Sequence, residues 1–321
     1  GDRNSAVGDF GVIGGGARNV VATYGVVGGG LLNTVSSYGS VVGAGEGNVV
    51  TGINGVISGG YQNTVVGFGG VVAGGEANDI AGMYGAVGGG YDNAVDGYAG
   101  TIGGGDYNAA SGDYGLVGGG TNNDASAPYA TVSGGRSNAV TGYASVVDGG
   151  ESNTASGMYG AIAGGSRNTA SSPHGAVGGG YDNAASGVAA VVGGGQFNMV
   201  TGFASVIGGG FYNSVSGYLS VVGGGWYNTV VGFGTVVDGG ASNNASGVYG
   251  AVGGGNLNTV AGCAGVVSGG VSNAVPGNFS VVGGGLLNTA TAAHGAIGGG
   301  ARNVAQGSHD VVAGGESNNV S

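Results

Sequence analysis

Residues 221–225, Val-Val-Gly-Gly-Gly, have the composition of a phosphate-binding loop, in which the backbone amides of a glycine-rich turn cradle an anion. Such a loop opens a helix, and in a dinucleotide site an acidic residue follows about 20 positions further on. Neither feature follows Gly223–Gly225, and nearly the same triplet recurs throughout the chain. The sequence therefore predicts a structural turn and no cofactor.

Side chains that could bind a metal or act as nucleophiles are few. His174, His294 and His309 share one repeat position, which otherwise holds aromatic or small residues, so we interpret them as members of an aromatic turn stripe. His294 and His309 lie one repeat apart, which leaves open a weak adventitious metal site. Cys263 has no flanking histidine and is interpreted as a turn residue. We predict no catalytic residue and no designed metal site.

Regular calcium binding is also disfavoured. Calcium-binding glycine repeats use G-G-x-G-x-D on about nine residues. Aspartates such as Asp148 and Asp238 occur only sporadically here, and the repeat is longer. An enzyme built on such repeats would need polar residues that interrupt the pattern, and no repeat is interrupted in that way. The sequence predicts that the protein is not an enzyme.

Aromatic residues in three consecutive repeats could bind a ligand by stacking. They are Phe197, Phe211, Tyr212, Trp226 and Tyr227, and we call them the aromatic patch. Rings on a rigid edge can stack on sugars or anchor a protein partner. The alternative is a ladder that stabilises the turn or a contact between chains. The patch is the candidate adhesive site.

The composition restricts the class of protein. Of 321 residues 87 are glycine, lysine is absent, and the formal net charge is −11. Such an acidic chain disfavours nucleic acid and anionic membranes as partners. No apolar run reaches the roughly 18 residues of a membrane helix. A hydrophobic fraction of 41% with few charged residues is unlike a disordered chain.

A 15-residue repeat accounts for the whole sequence. Asparagine recurs every 15 residues from Asn33 to Asn318, and Asn4 and Asn19 extend the series through one repeat of 14 residues. With this asparagine at position 3, position 5 is Val, Ala or Ile and position 12 is Val or Ile. Positions 14 and 15 are Gly-Gly except at Ala44. The spacing predicts one repeat array over residues 1–321, uncapped at both ends.

Two valine-rich segments between glycine turns predict two short strands per repeat, at positions 4–6 and 10–12. Glycine triplets disfavour a helix. Alternation along a strand turns positions 5 and 12 inward and positions 4, 6 and 11 outward. The predicted fold is an all-β parallel β-solenoid, or β-roll, of about 21 coils stacked at about 4.8 Å.

Two kinds of internal column are predicted. Stacked asparagines can hydrogen-bond along the axis and tolerate the left-handed backbone of turns. Stacked aliphatic side chains form the core. The structural asparagine ladder includes Asn33, Asn48, Asn63, Asn78, Asn93, Asn213 and Asn228, and the core ladder includes Val42, Ile57, Val72, Val87 and Val222.

Position 11 is apolar in most repeats although it faces outward, for example at Val41, Val146 and Val221. An apolar face that continues along a whole rod is too extensive for a soluble monomer. The pattern therefore predicts side-by-side association with further copies of the chain.

The phrase Thr-Gly-Tyr-Ala-Ser-Val-Val at residues 141–147, and the stretch at 154–171, resemble the repeats of the YadA-like head of trimeric autotransporter adhesins, which read A-S-G-x-x-S-V-A-I-G-x-x-S. The resemblance spans the chain and implies a left-handed β-roll, a homotrimer and a bacterial cell-surface or extracellular location. Most repeats here are one residue longer, and Gly-Gly-Gly with an asparagine replaces the usual turn. Because the sequence shows no coiled-coil stalk or membrane barrel, we expect either a head segment or a separate fibre protein.

The combined expectation is an extracellular structural and adhesive fibre. Its predicted partners are further copies of itself, as a homotrimer or filament, and a glycan or extracellular matrix protein. A self-polymerising filament subunit without adhesin activity is one alternative. An ice-binding β-solenoid is another, although it requires a regular threonine lattice, and Thr289 and Thr291 form the only Thr-x-Thr pair at positions 4 and 6.

Overall fold

The structure is a computed structural model that describes all residues from Gly1 to Ser321. The chain forms an all-β parallel β-solenoid of about 21 turns, with a 15-residue repeat, two strands per coil and no helix, which confirms the predicted fold class. It divides into two compact units, residues 1–159 (unit 1) and 160–321 (unit 2). In each unit, strands at positions 4–5 form sheet A and strands at positions 11–12 form sheet B.

Unit 1 contains 21 strands that pair in parallel with the equivalent strand one coil away. Sheet A comprises β1 (Ser5–Ala6), β3 (Val20–Val21), β5 (Thr34–Val35), β7 (Val49–Val50), β9 (Thr64–Val65), β11 (Asp79–Ile80), β13 (Ala94–Val95), β15 (Ala109–Ala110), β17 (Asp124–Ala125), β19 (Ala139–Val140) and β21 (Thr154–Ala155). Sheet B comprises β2 (Val12–Ile13), β4 (Val26–Val27), β6 (Val41–Val42), β8 (Val56–Ile57), β10 (Val71–Val72), β12 (Ala86–Val87), β14 (Thr101–Ile102), β16 (Leu116–Val117), β18 (Thr131–Val132) and β20 (Val146–Val147).

Unit 2 contains 22 strands in the same arrangement. Sheet B comprises β22 (Ala161–Ile162), β24 (Ala176–Val177), β26 (Val191–Val192), β28 (Val206–Ile207), β30 (Val221–Val222), β32 (Val236–Val237), β34 (Ala251–Val252), β36 (Val266–Val267), β38 (Val281–Val282), β40 (Ala296–Ile297) and β42 (Val311–Val312). Sheet A comprises β23 (Thr169–Ala170), β25 (Ala184–Ala185), β27 (Met199–Val200), β29 (Ser214–Val215), β31 (Thr229–Val230), β33 (Asn244–Ala245), β35 (Thr259–Val260), β37 (Ala274–Val275), β39 (Thr289–Ala290), β41 (Val304–Ala305) and β43 (Asn319–Val320).

The strands are one residue shorter than predicted, because positions 6 and 10 already belong to the turn between the two sheets. In a representative coil the Gly70 N–H donates to the Gly67 carbonyl at 3.3 Å, which closes this turn. A third contact in each coil was not predicted. It is an isolated parallel bridge at position 1, for example between Phe211 and Trp226.

The core is a thin layer between the two sheets. The aliphatic side chains at positions 5 and 12, such as Val42, Ile57 and Val222, are fully buried and stack coil on coil. Position 7 is usually glycine because the turns of successive coils approach closely there. A Cβ atom added to Gly217 would overlap the carbonyl oxygen of Gly232 in the next coil.

A polar ladder runs through this core at position 3. The amide side chain of Asn213 donates to Asn198 Oδ1 at 3.1 Å, to the Gly209 carbonyl at 3.0 Å and to the Gly225 carbonyl at 2.8 Å. Its Oδ1 accepts from the backbone N–H and the side-chain amide of Asn228 at 3.0 and 3.1 Å. Every polar atom is thus satisfied, which is what allows an amide to be buried.

The chain has no helix that is sufficiently long and apolar to cross a bilayer.

Candidate functional site

The glycine triplet at residues 223–225 forms a turn after β30 and leads into the bridge at Trp226 rather than into a helix. The Gly224 carbonyl accepts from the Asn228 side chain at 3.0 Å, and the Gly223 N–H donates to the Val237 carbonyl at 2.9 Å. Gly225 has a φ of +90°. In a phosphate loop the backbone N–H groups point at the anion. Here carbonyl groups point at the asparagine ladder and Gly225 adopts a left-handed conformation, so the triplet forms a structural turn.

The three histidines lie at position 9, on the turn between sheet A and sheet B, with positive φ. In unit 2 the rings of Phe279, His294 and His309 stack in succession, with centroids 5.3 and 4.8 Å apart. The Ser308 hydroxyl lies 3.0 Å from His309 Nδ1. Cys263 is half-buried on the same turn. No three His, Cys, Asp or Glu side chains come together in a way that could hold a metal ion.

The structure brings four residues of the aromatic patch into ring contact on the turn at positions 1 and 2. Phe197, Tyr212 and Tyr227 stack face to face, with centroids 4.6 and 5.2 Å apart and planes within 8°. Phe211 meets Tyr212 edge to face at 4.5 Å. Tyr181, which the sequence analysis did not include, extends the cluster to Phe197 at 5.4 Å.

Trp226 differs from the other members of the patch. It follows Phe211 in the position-1 bridge ladder, yet its side chain is 64% exposed, and no ring contact is found for it. Phe197, Tyr212 and Tyr227 occupy position 2 with φ between +54° and +56°, a conformation that turns the side chain away from the core. The patch therefore consists of four rings in contact with each other and of the exposed Trp226 indole, which is free to contact a ligand.

A second aromatic array occupies positions 8 and 9 of unit 1. Each coil from residue 61 to residue 159 contributes one ring, and each ring contacts the next at 5.1 to 5.8 Å. We call it the tyrosine ladder; its members are Phe68, Tyr84, Tyr98, Tyr114, Tyr129, Tyr143 and Tyr159. The repeat pattern predicted a stripe at position 9 but not its continuation through position 8.

The outer face of sheet B is apolar and accessible, as the position-11 pattern predicted. Val71, Leu116, Val221 and Val281 are between 36% and 42% exposed. Their neighbours at position 13 are mostly glycine, alanine or serine, with Asp148 and Asp238 as the charged exceptions, so that few bulky side chains flank the column. The polar exceptions in this column are Thr101 and Thr131.

The outer face of sheet A is polar and carries the carboxylates with altered titration. Burial raises the pKa of the Asp79 carboxyl, and the negative charge of Asp96 raises it further. Burial also raises the pKa of Asp124, an effect that the Ser126 hydroxyl partly offsets. Asp124 Oδ1 is buried and has no hydrogen-bond partner. A single carboxylate of this kind weakens the local structure and does not form a catalytic pair.

Sequence reasoning did not assign a role to hydroxyl groups at position 10. In unit 2, Ser205 and Ser220 are fully buried, and each hydroxyl donates to the position-7 carbonyl of the next coil at 2.7 Å. The Ser205 hydroxyl also accepts the Ser220 N–H at 3.0 Å. The signal in the sequence is the restriction of this column to Gly, Ala, Ser and Thr in nearly all coils.

No protein-family model matches the chain, and a search of curated proteins found no similar sequence.

Proposed function

We propose that the protein is an extracellular structural and adhesive fibre: a rigid β-roll rod that associates side by side with further copies of itself. One observation carries the proposal, namely the outward apolar column at position 11. An exposed apolar strip of this length is a recognised mark of an interaction surface. Ten coils present positions 11 and 13, about 20 residues, which is the number that one partner contributes to a standard interface.

The partner that best fits this face is a second copy of the chain. Its side chains repeat at about 4.8 Å, the spacing of parallel strands. Only another surface with the same period can meet every side chain of the column, and flat β-faces with small flanking residues interdigitate as dry interfaces. Because the chain has no lysine and only five arginines, such a fibre also offers few cleavage sites to trypsin-like proteases.

The resemblance to YadA-like heads supports three further parts of this proposal: a left-handed roll, a homotrimer and a location at a bacterial surface. These parts rest on phrases such as residues 141–147. The aromatic patch supplies the adhesive component, with a glycan or an extracellular matrix protein as its ligand. Trp226 is the residue that we expect to contact the ligand, because an exposed indole offers a large stacking face.

Light scattering of the purified chain, with negative-stain imaging of the same sample, tests the association. We expect a discrete oligomer with the mass of several chains. A monodisperse monomer would contradict the proposal, whereas long filaments would favour a self-polymerising subunit without adhesin activity.

The adhesive component is tested with Trp226→Ala and Phe211→Ala, assayed for binding to glycan arrays and to matrix proteins. Tyr91→Ala, at the same repeat position as Phe211 and Trp226 but in unit 1, is the matched control. We expect loss of binding only for the two patch variants. Unchanged binding by both, with the oligomer intact, would remove the adhesive role and leave the structural one.

An ice-binding solenoid is the second candidate, favoured by hydroxyl rows at position 6. These are Ser111, Ser126, Thr141 and Ser156 in unit 1, and Ser171, Ser186, Thr201 and Ser216 in unit 2. Within the second row Ser171 donates to Ser186 at 3.1 Å, so some hydroxyls are already engaged with each other. A thermal-hysteresis assay decides between the two candidates, because a fibre without ice affinity shows no hysteresis.

A further inference from the structure

The tyrosine ladder is a regular array in unit 1, because its rings occupy complementary repeat positions in successive coils. Where position 8 is aromatic, as at Phe68, Tyr98 and Tyr143, position 9 is glycine or alanine. Where position 9 is aromatic, position 8 is not, so each coil contributes one ring and never two. The ring of Tyr84 lies over the Cα of Gly69, where an added Cβ would be 3.0 Å from the Tyr84 ring. The residue types at positions 8 and 9 of each coil therefore complement each other, so that the ladder stays continuous.

One pair within the ladder differs in geometry from all the others. Tyr114 and Tyr129 are stacked, with centroids 5.1 Å apart and planes within 7°. The other contacts of the ladder are edge to face, with interplanar angles between 72° and 90°. Offset parallel rings can bring the two carbons ortho to the hydroxyls together by a small sliding motion, whereas a T-shaped pair points the edge of one ring at the face of the other.

Both phenols of this pair are accessible, with Tyr114 49% and Tyr129 50% exposed. They are held in adjacent coils by the backbone, because each lies at position 9 with a φ of +57° or +59°. An oxidant in solution can therefore reach both rings while the fold keeps them side by side.

We propose that Tyr114 and Tyr129 form an oxidative cross-linking site, at which hydrogen peroxide and a haem peroxidase join the two phenols as dityrosine. Each phenol loses one electron and the hydroxyl proton, giving two phenoxyl radicals. Their ortho carbons form a C–C bond, and the hydrogen on each ortho carbon returns to the adjacent oxygen. In sum, two tyrosines and one hydrogen peroxide give one dityrosine and two waters.

The composition of the chain makes tyrosine its only abundant cross-linking residue. Isopeptide bonds require lysine, which is absent, and an intrachain disulfide requires a second cysteine beside Cys263. The chain has 16 tyrosines. A bond between Tyr114 and Tyr129 covalently ties the coil of residues 106–120 to the coil of residues 121–135. These coils are otherwise joined by non-covalent contacts, namely the strand ladders, the position-1 bridge and the asparagine ladder.

The test treats the purified full chain with hydrogen peroxide and a haem peroxidase over a dilution series, and follows dityrosine fluorescence. We expect a yield per chain that does not depend on concentration, because the pair is intramolecular. Cleavage before aspartate separates Asp113 to Asn123 from Asp124 to Val147. These two fragments should remain joined in the oxidised protein, with two hydrogens fewer than their sum.

Tyrosine-to-phenylalanine variants locate the bond. Phe68 already occupies a ladder place, so phenylalanine is compatible with the fold. Tyr129→Phe should abolish the joined fragment, and Tyr143→Phe, one coil further along the same ladder, should leave it intact. The proposal is overturned if the joined fragment is absent, if the yield of that fragment rises with concentration, or if it persists in Tyr129→Phe.

Discussion

Two columns of the solenoid invert the usual distribution of polarity. The asparagine ladder at position 3 is polar and buried, and the valine-rich column at position 11 is apolar and partly exposed. Both continue from coil to coil with little variation. They differ because the amides find all their hydrogen-bond partners within the chain, while the outer surface of the valines remains accessible to solvent.

From this difference we assign the asparagine ladder to folding and propose association for the position-11 column. A buried amide that makes five hydrogen bonds to its own chain, as Asn213 does, has no capacity left for a ligand. The exposed part of an apolar column adds hydrophobic stabilisation only when another surface covers it. The predictions below separate these two roles.

The largest effect is expected for Asn213→Leu. The substitution leaves the Gly209 carbonyl and the Asn228 N–H without their partner in the core, and each buried unsatisfied group costs about 1–3 kcal/mol. We expect a loss of about 4 kcal/mol, measured by urea unfolding. Asn244→Ala, at an exposed asparagine of sheet A, is the control and should cost less than about 1 kcal/mol. Equal losses in the two variants would contradict a folding role for the ladder.

The glycine turn should tolerate a methyl group at one place and not at its neighbour. A Cβ on Gly225 would overlap the Gly240 carbonyl oxygen, and the backbone there has a φ of +90°. A Cβ on Gly224 would have its nearest contact at 3.9 Å. Gly225→Ala should therefore lower stability by about 3 kcal/mol. Thermal unfolding of both variants checks this, and a Gly224→Ala variant that is equally unstable would contradict it.

Substitutions at position 11 should change association and leave the fold unchanged. Val191, Val206 and Val221, replaced together by threonine, should shift the oligomer towards monomer in light scattering. Chain stability should change by less than about 1 kcal/mol, because two threonines already occupy this column. The control is Val66→Thr with Val231→Thr, at exposed valines of position 6, directly after the sheet A strands. Loss of the oligomer in the control alone would place the interface on that side of the coil.

The smallest effect concerns Asp124. Burial raises its folded-state pKa above that of the unfolded chain, so the folded state binds the proton more tightly. The contribution of this carboxyl group to the free energy of unfolding is fully present below its unfolded-state pKa. It is lost as the pH rises through its folded-state pKa. Asp124→Asn should abolish this decline and stabilise unit 1 by about 0.5 kcal/mol at neutral pH. Unfolding measured against pH checks it, with Asp238→Asn as the control at an exposed carboxylate.

The fold was predictable because the same short residue pattern recurs in every repeat. Asn228, Val222 and Gly225 each belong to a column whose uniformity fixes its environment, so the solenoid and its inward positions followed from spacing alone. What spacing could not provide was contact between side chains of different repeat positions. The Tyr98–Tyr114 contact joins position 8 to position 9, and the Ser205–Gly217 bond joins position 10 to position 7. Such cross-column pairs depend on where the turn places each side chain.

The patch was predicted in part for the same reason. The prediction covered three consecutive repeats and therefore included Phe197, Phe211 and Trp226, whereas Tyr181 lies in the preceding repeat and was omitted. The exposure of Trp226 could not be inferred from its position, because Phe211 at the same position packs against its neighbours.

The uniform 15-residue register also determines how a unit responds to force. Each coil is bound to its two neighbours by short parallel ladders, with no contact that spans many coils. A pull on one end therefore loads a single coil at a time, and each release frees 15 residues, which extend to about 50 Å. We therefore expect the force–extension curve of such a unit to be a regular series of small steps, in which energy is dissipated coil by coil.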